Sequence, residues 1–120
     1  NLPPRLIRVV DYPVALADKM AAWNERRLMR DLYDAWFFLR MGIRPDEKTL
    51  ARRLQKPEYS RLVKVADHFK GATVEDFRGF LLAHVQTLTD ADLAAELKDY
   101  LRADELAGLG MRIRAEFAKW

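Results

Sequence analysis

The hydrophobic positions of this chain recur at three- and four-residue spacing over most of its length, a pattern that predicts helices. The first predicted helix runs from Val14 to Arg26 after Pro13 and carries an apolar face of Leu16, Met20 and Trp23. Further helices are expected at residues 30–41, 46–56, 58–70, 73–88 and 89–101, and from residue 104 onward. The pattern therefore predicts an all-α fold of six or seven helices in a compact bundle.

Local signals mark where several of these helices begin and end. Gly42 is suited to the left-handed position that ends a helix. Thr73 with Asp76, and Thr89 with Asp92, have the spacing of capping boxes at helix starts. Gly108 and Gly110 interrupt the apolar spacing of the last segment, so a break is expected there.

One segment does not fit the helical pattern. Residues 5–10, "RLIRVV", form a strand-like run, and a lone strand cannot stabilise itself. We therefore expect residues 1–12 to be a residual strand of a sheet that lies elsewhere in a longer protein, and residues 13–120 to form a helical domain.

Composition limits the chemistry. The 120 residues include no cysteine and only two histidines, which fall on separate predicted helices, so thiolate and histidine metal sites are not expected. The net charge of +3 is compatible with an anionic partner without requiring one. No apolar run is long enough to cross a membrane and no signal peptide is visible, so no membrane partner and a cytoplasmic location are expected.

Charged residues inside an apolar helix are the main functional signal. In "RDLYDAWFFLRMG" the apolar residues cover nearly the whole circumference, yet Asp31 and Asp34 share one face near the helix start. A buried carboxylate is costly without a partner. The short connection "RRLM" predicts that the first two helices are antiparallel, and Lys19, Ala22 and Arg26 then line one groove with these acids.

Two interpretations of this groove stay open from the residues alone. Lysine is suited to phosphate and carboxylates to Mg²⁺ or ribose hydroxyls, which favours a nucleotide site. Alternatively, Asp31 interacts favourably with the helix N-terminus, and Asp34 pairs with Arg30 or with a cation of the first helix, as parts of a structural network.

The same stretch resembles a known protein family. Asp18, Lys19 and Ala22 match an Asp-Lys-x-x-Ala element, and residues 30–34, "RDLYD", match an Arg-Asp-x-x-Asp element that opens the next helix. These two elements, in this order, resemble the AbiEii-type nucleotidyltransferase toxins of type IV toxin–antitoxin and abortive-infection systems. The likeness spans residues 11–41.

The resemblance implies the C-terminal helical part of a polymerase-β-like nucleotidyltransferase that uses an NTP and Mg²⁺. It implies transfer to a tRNA-like RNA or a protein acceptor, and a cognate antitoxin. By the same resemblance Lys19 contacts the triphosphate and Asp31 helps to hold the active site. Residues expected to bind or orient the nucleotide are Arg30, Asp34, Asp18 and Arg26.

The chain departs from the family in one respect. A Gly-Ser turn followed by Asp-x-Asp, which holds the metal in the family, is expected before Lys19 and is missing there. "DAD" at Asp90 to Asp92 is the only such triplet, but it has the pattern of a helix start, so we reject it as a metal site. We therefore expect no metal ligand and no cofactor in these residues, and no activity from them alone.

Other classes of function fit parts of the sequence. A non-catalytic helical module that binds a partner protein or nucleic acid is the main alternative. "TLARRLQKPEYSRLVKV" has the outline of a helix-turn-helix, with Ala51 in its first helix and Arg61 and Lys64 in its second. A basic track for RNA phosphates is a further alternative, with Arg44, Lys48, Arg52, Arg53 and Lys56.

Overall fold

A computed structural model describes residues 11–56, 67–71 and 73–120. Its helices are α1 (Tyr12–Arg26), α2 (Met29–Arg40), α3 (Glu47–Gln55), α4 (Val74–Gln86), α5 (Asp90–Leu97), α6 (Ala103–Leu106) and α7 (Leu109–Phe117). These ranges contain no strand, which confirms the all-α prediction. The strand expected at residues 5–10 lies outside the described residues.

Helix α1 lies at the centre of the bundle. It packs against both α2 and α3, and α2 also contacts α5 and α7. Leu16, Met20 and Trp23 are buried as the spacing predicted, and Ala17 and Ala21 are fully covered. Small side chains at the last two positions let neighbouring helices approach α1 closely. Within the described ranges, no helix is both long and apolar enough to span a bilayer.

The ends of α1 and α2 set the geometry of the pair. The carboxylate of Asp11 accepts a hydrogen bond from the backbone N–H of Val14, which begins α1. Gly42 ends α2 in the left-handed conformation at φ 87°, and its N–H donates to the carbonyl of Leu39. The N–H of Ile43 donates to the carbonyl of Phe38, which completes a Schellman motif. The predicted glycine cap is confirmed.

Both predicted threonine caps are also confirmed. Thr73 Oγ1 accepts from the backbone N–H of Asp76 at 3.2 Å and begins α4. Thr89 and Asp92 exchange two hydrogen bonds of 3.1 Å, forming the predicted capping box of α5.

The helix predicted over residues 58–70 is wrong at its end. Residues 67–70 lie outside any helix, and residues 58–66 are outside the described ranges, so most of the suggested helix-turn-helix is too. The amide of buried Asn24 explains the departure: its Nδ2 donates to the carbonyl of Phe69 at 3.1 Å, and its Oδ1 accepts from the N–H of Phe69 at 2.7 Å. This pair of bonds replaces the helical bonds that Phe69 would otherwise make.

The last segment is divided into two helices. Gly108 adopts φ 72° between α6 and α7, whereas Gly110 lies inside α7, so only the first of the two expected breaks forms. Asp90 stabilises this junction, because its carboxylate accepts from the N–H of Gly110 and from that of Gly108, both at 2.8 Å. These two N–H groups hold the pKa of Asp90 below its usual value.

We predict that Asp90→Ala lowers the melting temperature of the protein more than Asp99→Ala, a matched change at an exposed aspartate after the same helix. Because the folded pKa of Asp90 is depressed, its contribution is present above the unfolded value of 3.8 and is lost as pH falls through the folded pKa. Thermal unfolding monitored by circular dichroism at several pH values measures both effects. Equal melting temperatures for the two variants at neutral pH would contradict the capping role.

Candidate functional site

Helices α1 and α2 bring together four of the residues predicted for the site along their line of contact, which we call the seam. These residues are Lys19, Arg26, Asp31 and Asp34. Lys19 Nζ lies 2.9 Å from Asp34 Oδ2. Arg26 Nη2 donates to both oxygens of Asp31, at 2.8 and 2.9 Å. Residues near the end of α1 pair with residues near the start of α2, so the helices are antiparallel as expected. The almost fully covered Ala22 lies on α1 between the two cations.

The two ion pairs differ in their exposure to solvent. The side chain of Asp31 is only 1% exposed and that of Arg26 is 23% exposed. Lys19 and Asp34 are 40% and 35% exposed. The seam therefore has an inner pair that is held in place by burial and an outer pair whose charges are accessible from solvent.

The pKa of Asp31 is shifted by its surroundings. Burial raises the pKa of its carboxyl above 3.8, and the positive charges of Arg26, Lys19 and Arg30 only partly oppose this effect. Asp31 also lies in the first turn of α2, where a negative charge is favourable. Its closest contact is nevertheless the Arg26 guanidinium, so both the helix terminus and a cation of α1 stabilise it.

Asp18 lies apart from the seam. Its Oδ1 accepts from Arg53 Nη1 at 2.8 Å, and Arg53 Nη2 donates to Glu25 Oε2 at 3.0 Å. Glu25 and Arg53 are buried, and these contacts join α1 to α3. Asp18 therefore faces a different neighbour from Lys19, although the two residues are adjacent in the chain.

The buried network around Arg53 was not predicted from the sequence. In the alternative of a basic track for RNA phosphates, Arg53 would be exposed, but its side chain is only 9% exposed. The available signal was the seven-residue spacing of Asp18 and Glu25, which places two acids on one face of a helix. Such a face needs a buried cation from a neighbouring element.

Arg30 is exposed at the start of α2 and points away from α1. It lines a shallow depression with Leu28, Glu96 and Tyr100, on the side of α5. The structure thus brings together Lys19, Arg26, Asp31 and Asp34, and places Asp18 and Arg30 on the two flanks of the pair.

The two carboxylates of the seam, on Asp31 and Asp34, are paired with cations. No group of three or more potential metal ligands occurs within the part of the chain that the structure describes. Both aspartates of the "DAD" triplet stabilise the N-terminus of a helix. Asp90 accepts from the N–H of Gly110 at the start of α7, and Asp92 accepts from the N–H of Thr89 at the start of α5.

His84 takes part in hydrogen bonds and is partly buried, with 35% of its side chain exposed. Its Nδ1 lies 3.1 Å from the carbonyl of Phe80, and its Nε2 lies 2.9 Å from Arg27 Nη1. Nε2 also lies 3.5 Å from Asp67 Oδ2, so His84 and Arg27 meet at the same carboxylate. Arg27, which the sequence did not single out, is the residue that connects α1 to this part of the bundle.

Comparison with known proteins gives one family match. A family model described as "Nucleotidyl transferase AbiEii toxin, Type IV TA system" matches residues 1–118. No curated protein and no solved structure gives a significant match.

We predict that Asp31→Asn changes how stability depends on pH. Because burial raises the folded pKa of Asp31, its relative contribution is greatest below the unfolded value of 3.8 and is lost as pH rises through the folded pKa. The stability of the parent protein relative to the Asn variant should therefore fall over that range. Urea unfolding of both proteins from about pH 3 to about pH 8 measures the difference, and a difference that does not change with pH would contradict the assignment.

Proposed function

Because the chain belongs to the AbiEii family of nucleotidyl transferase toxins of type IV toxin–antitoxin systems, we propose that α1 and α2 form one wall of its nucleotide site. Membership of this family also implies a cognate antitoxin as a partner. The observation that carries the proposal is the accessible Lys19–Asp34 pair beside the buried Arg26–Asp31 pair.

Lys19 is the residue proposed to contact the triphosphate. Its ammonium is held at one end of the seam but is 40% exposed, so an incoming phosphate can replace Asp34 as its partner. An exposed ion pair of this kind contributes only about 0–1 kcal/mol to stability, so exchanging one anion for another has a small cost. A lysine ammonium is a compact charge that is well suited to phosphate oxygens.

Asp31 and Arg26 are proposed as positioning residues. The Asp31 carboxylate is covered and engaged by Arg26, so it acts through the α1–α2 pair. Breaking a buried pair is strongly destabilising because one charge is left uncompensated. The inner pair therefore holds α1 and α2 in one register and keeps Lys19 at a fixed place on the wall.

The proposed reaction is transfer of a nucleotide to an acceptor hydroxyl. The oxygen of the acceptor hydroxyl forms a bond to the α-phosphorus of the NTP and releases its proton to water. The bond from that phosphorus to the bridging oxygen breaks, and pyrophosphate leaves. Lys19 neutralises charge on the phosphates during this step, which is the main kind of catalysis in phosphoryl chemistry. Asp34, once released from Lys19, is proposed to orient the nucleotide, and the exposed Arg30 is proposed to bind or orient it from the flank of the pair. Since Asp18 is engaged by Arg53, its proposed role is to anchor α3 beside the site.

We predict that Lys19→Ala lowers nucleotide transfer by the full-length protein about 100-fold or more, because one positive charge on the phosphates is lost. Its melting temperature should change little, since the pair with Asp34 is partly exposed. Transfer of radiolabelled nucleotide from each of the four NTPs to total tRNA, with protein adenylylation measured in parallel, reports the activity.

The matched control is Lys98→Ala, which removes an exposed lysine at the end of α5. It should transfer nucleotide at the rate of the unmodified protein. If Lys19→Ala retains full activity, the seam is structural and the chain is better explained as a non-catalytic helical interaction module.

We also predict that the 120 residues alone transfer no nucleotide in the presence of Mg²⁺. They contain no Gly-Ser turn, and their single Asp-x-Asp triplet is used at helix ends. The same transfer assay, with the full-length protein as the positive control, tests this expectation. Transfer by the 120-residue chain would mean that the metal carboxylates lie within it.

A further inference from the structure

A cavity of about 470 Å³ lies where α1, α2, α4 and α5 meet. Its walls include Trp23, Arg27, Leu32, His84, Asp92 and Glu96. None of the four seam residues lines it, although Trp23 is one helical turn from Lys19, about 6 Å along α1. Its volume falls in the range of about 300–1,000 Å³ that small-molecule sites occupy.

Arg27 and Trp23 bring to the cavity lining buried hydrogen-bond donors that find no acceptor among the described residues. The guanidinium of Arg27 stacks over Trp23, 4.4 Å from the ring centre, while its Nη1 reaches His84 and Asp67. Among the described residues, neither its Nε nor its Nη2 has an acceptor, and the same holds for the indole N–H of Trp23, a residue that is 1% exposed. Buried donors are rarely left in this state, so a ligand acceptor is the natural partner for them.

The backbone of Arg27 supports a specific role for its side chain. Arg27 has φ 56° at the end of α1 and is the only residue other than glycine with a positive φ within the described ranges. Glycine is the usual residue at such a position because a side chain is unfavourable there. Backbone strain of this kind occurs most often at functional sites.

Helix α5 contributes two carboxylates to the lining of the cavity, since Asp92 and Glu96 lie one turn apart on this helix. The lining also includes the apolar residues Met29, Leu32, Leu88, Ala91 and Ala95. Because Asp67 already faces Arg27 and two carboxylates face the cavity, an anionic ligand is disfavoured. The walls instead fit a flat neutral ring with acceptors on one edge and an amino group on the other.

We propose that this cavity binds a nucleobase, whose carbonyl or ring nitrogen accepts from Arg27 and whose exocyclic amino group donates to Asp92 or Glu96. The proposal rests on the proposed function, because nucleotides are then the molecules that reach the neighbouring seam. The base belongs either to the NTP or to the acceptor RNA, and both sources present the same chemistry.

The test is titration calorimetry of the full-length protein with adenosine, guanosine, cytidine and uridine. The three nucleosides whose bases carry an amino group should bind more tightly than uridine. Ala95→Trp, which fills the cavity from an exposed helix position, should weaken their binding at least about tenfold. Ala115→Trp is the matched control on the exposed face of α7 and should bind like the unmodified protein.

A second variant guards against a folding defect in the first. Arg27→Gly removes the donors but suits the left-handed backbone, so it should remain folded by circular dichroism and lose nucleoside binding. If the unmodified protein binds no nucleoside, or if folded Ala95→Trp and Arg27→Gly both bind as it does, the proposal is wrong.

Further titrations distinguish the two sources and separate this proposal from the previous one. Weaker NTP binding by Ala95→Trp assigns the base to the NTP, and weaker binding of a short single-stranded RNA alone assigns it to the acceptor. Lys19→Ala should leave nucleoside binding unchanged, because nucleosides carry no phosphate. If Lys19→Ala retains full transfer activity and nucleosides still bind, the proposed role of Lys19 is wrong. The proposed base cavity is not contradicted by that result.

Discussion

The buried ion pair between Arg26 and Asp31 is the constraint on which the arrangement of this protein depends. A carboxylate that is 1% exposed is unfavourable unless a cation reaches it, and Arg26 reaches it only when α1 and α2 lie antiparallel in one register. That register in turn places Lys19 against Asp34 at the accessible end of the seam. A slip of one turn would leave both acids without these partners.

Helix α1 supplies a different kind of contact to each neighbour. Toward α2 it presents the cations of the seam, and toward α3 it presents Asp18 and Glu25, which share Arg53. Toward α4 it presents Trp23, whose ring makes edge contacts with Phe77 and Phe80. The charges of α1 thus lie toward two of its neighbours, with Lys19 and Arg26 paired to α2 and with Asp18 and Glu25 paired to Arg53 of α3.

Stability and proposed function are divided between the two ends of the seam. The inner pair is covered, so its charges are held in one geometry and losing either is costly. The outer pair is partly exposed, so it adds little stability and its partners can exchange. A nucleotide phosphate would thus meet a lysine that the fold holds in place and that can exchange Asp34 for the phosphate. The proposed base cavity lies one turn further along the same helix, which would let one rigid element contact two parts of a nucleotide.

The sequence by itself determined the helices, most of their ends and the family. Apolar spacing and capping residues act over three or four positions, so the left-handed end at Gly42 and the caps at Thr73 and Thr89 could be predicted locally. The two elements around Lys19 and Asp31 indicated the family, and antiparallel packing of their helices followed from the short connection between them.

Only the tertiary structure decided which charge meets which. Asp18 and Lys19 are adjacent in the chain but face different helices, Arg53 is buried instead of exposed, and residues 67–70 leave the helical pattern because Asn24 binds the backbone of Phe69. The role proposed for Arg27 likewise depends on its contacts with Trp23 and His84 and on the cavity that they line. The reason is physical: periodicity records which face of a helix is apolar, whereas the partner of a buried polar group comes from a distant segment that local spacing does not specify.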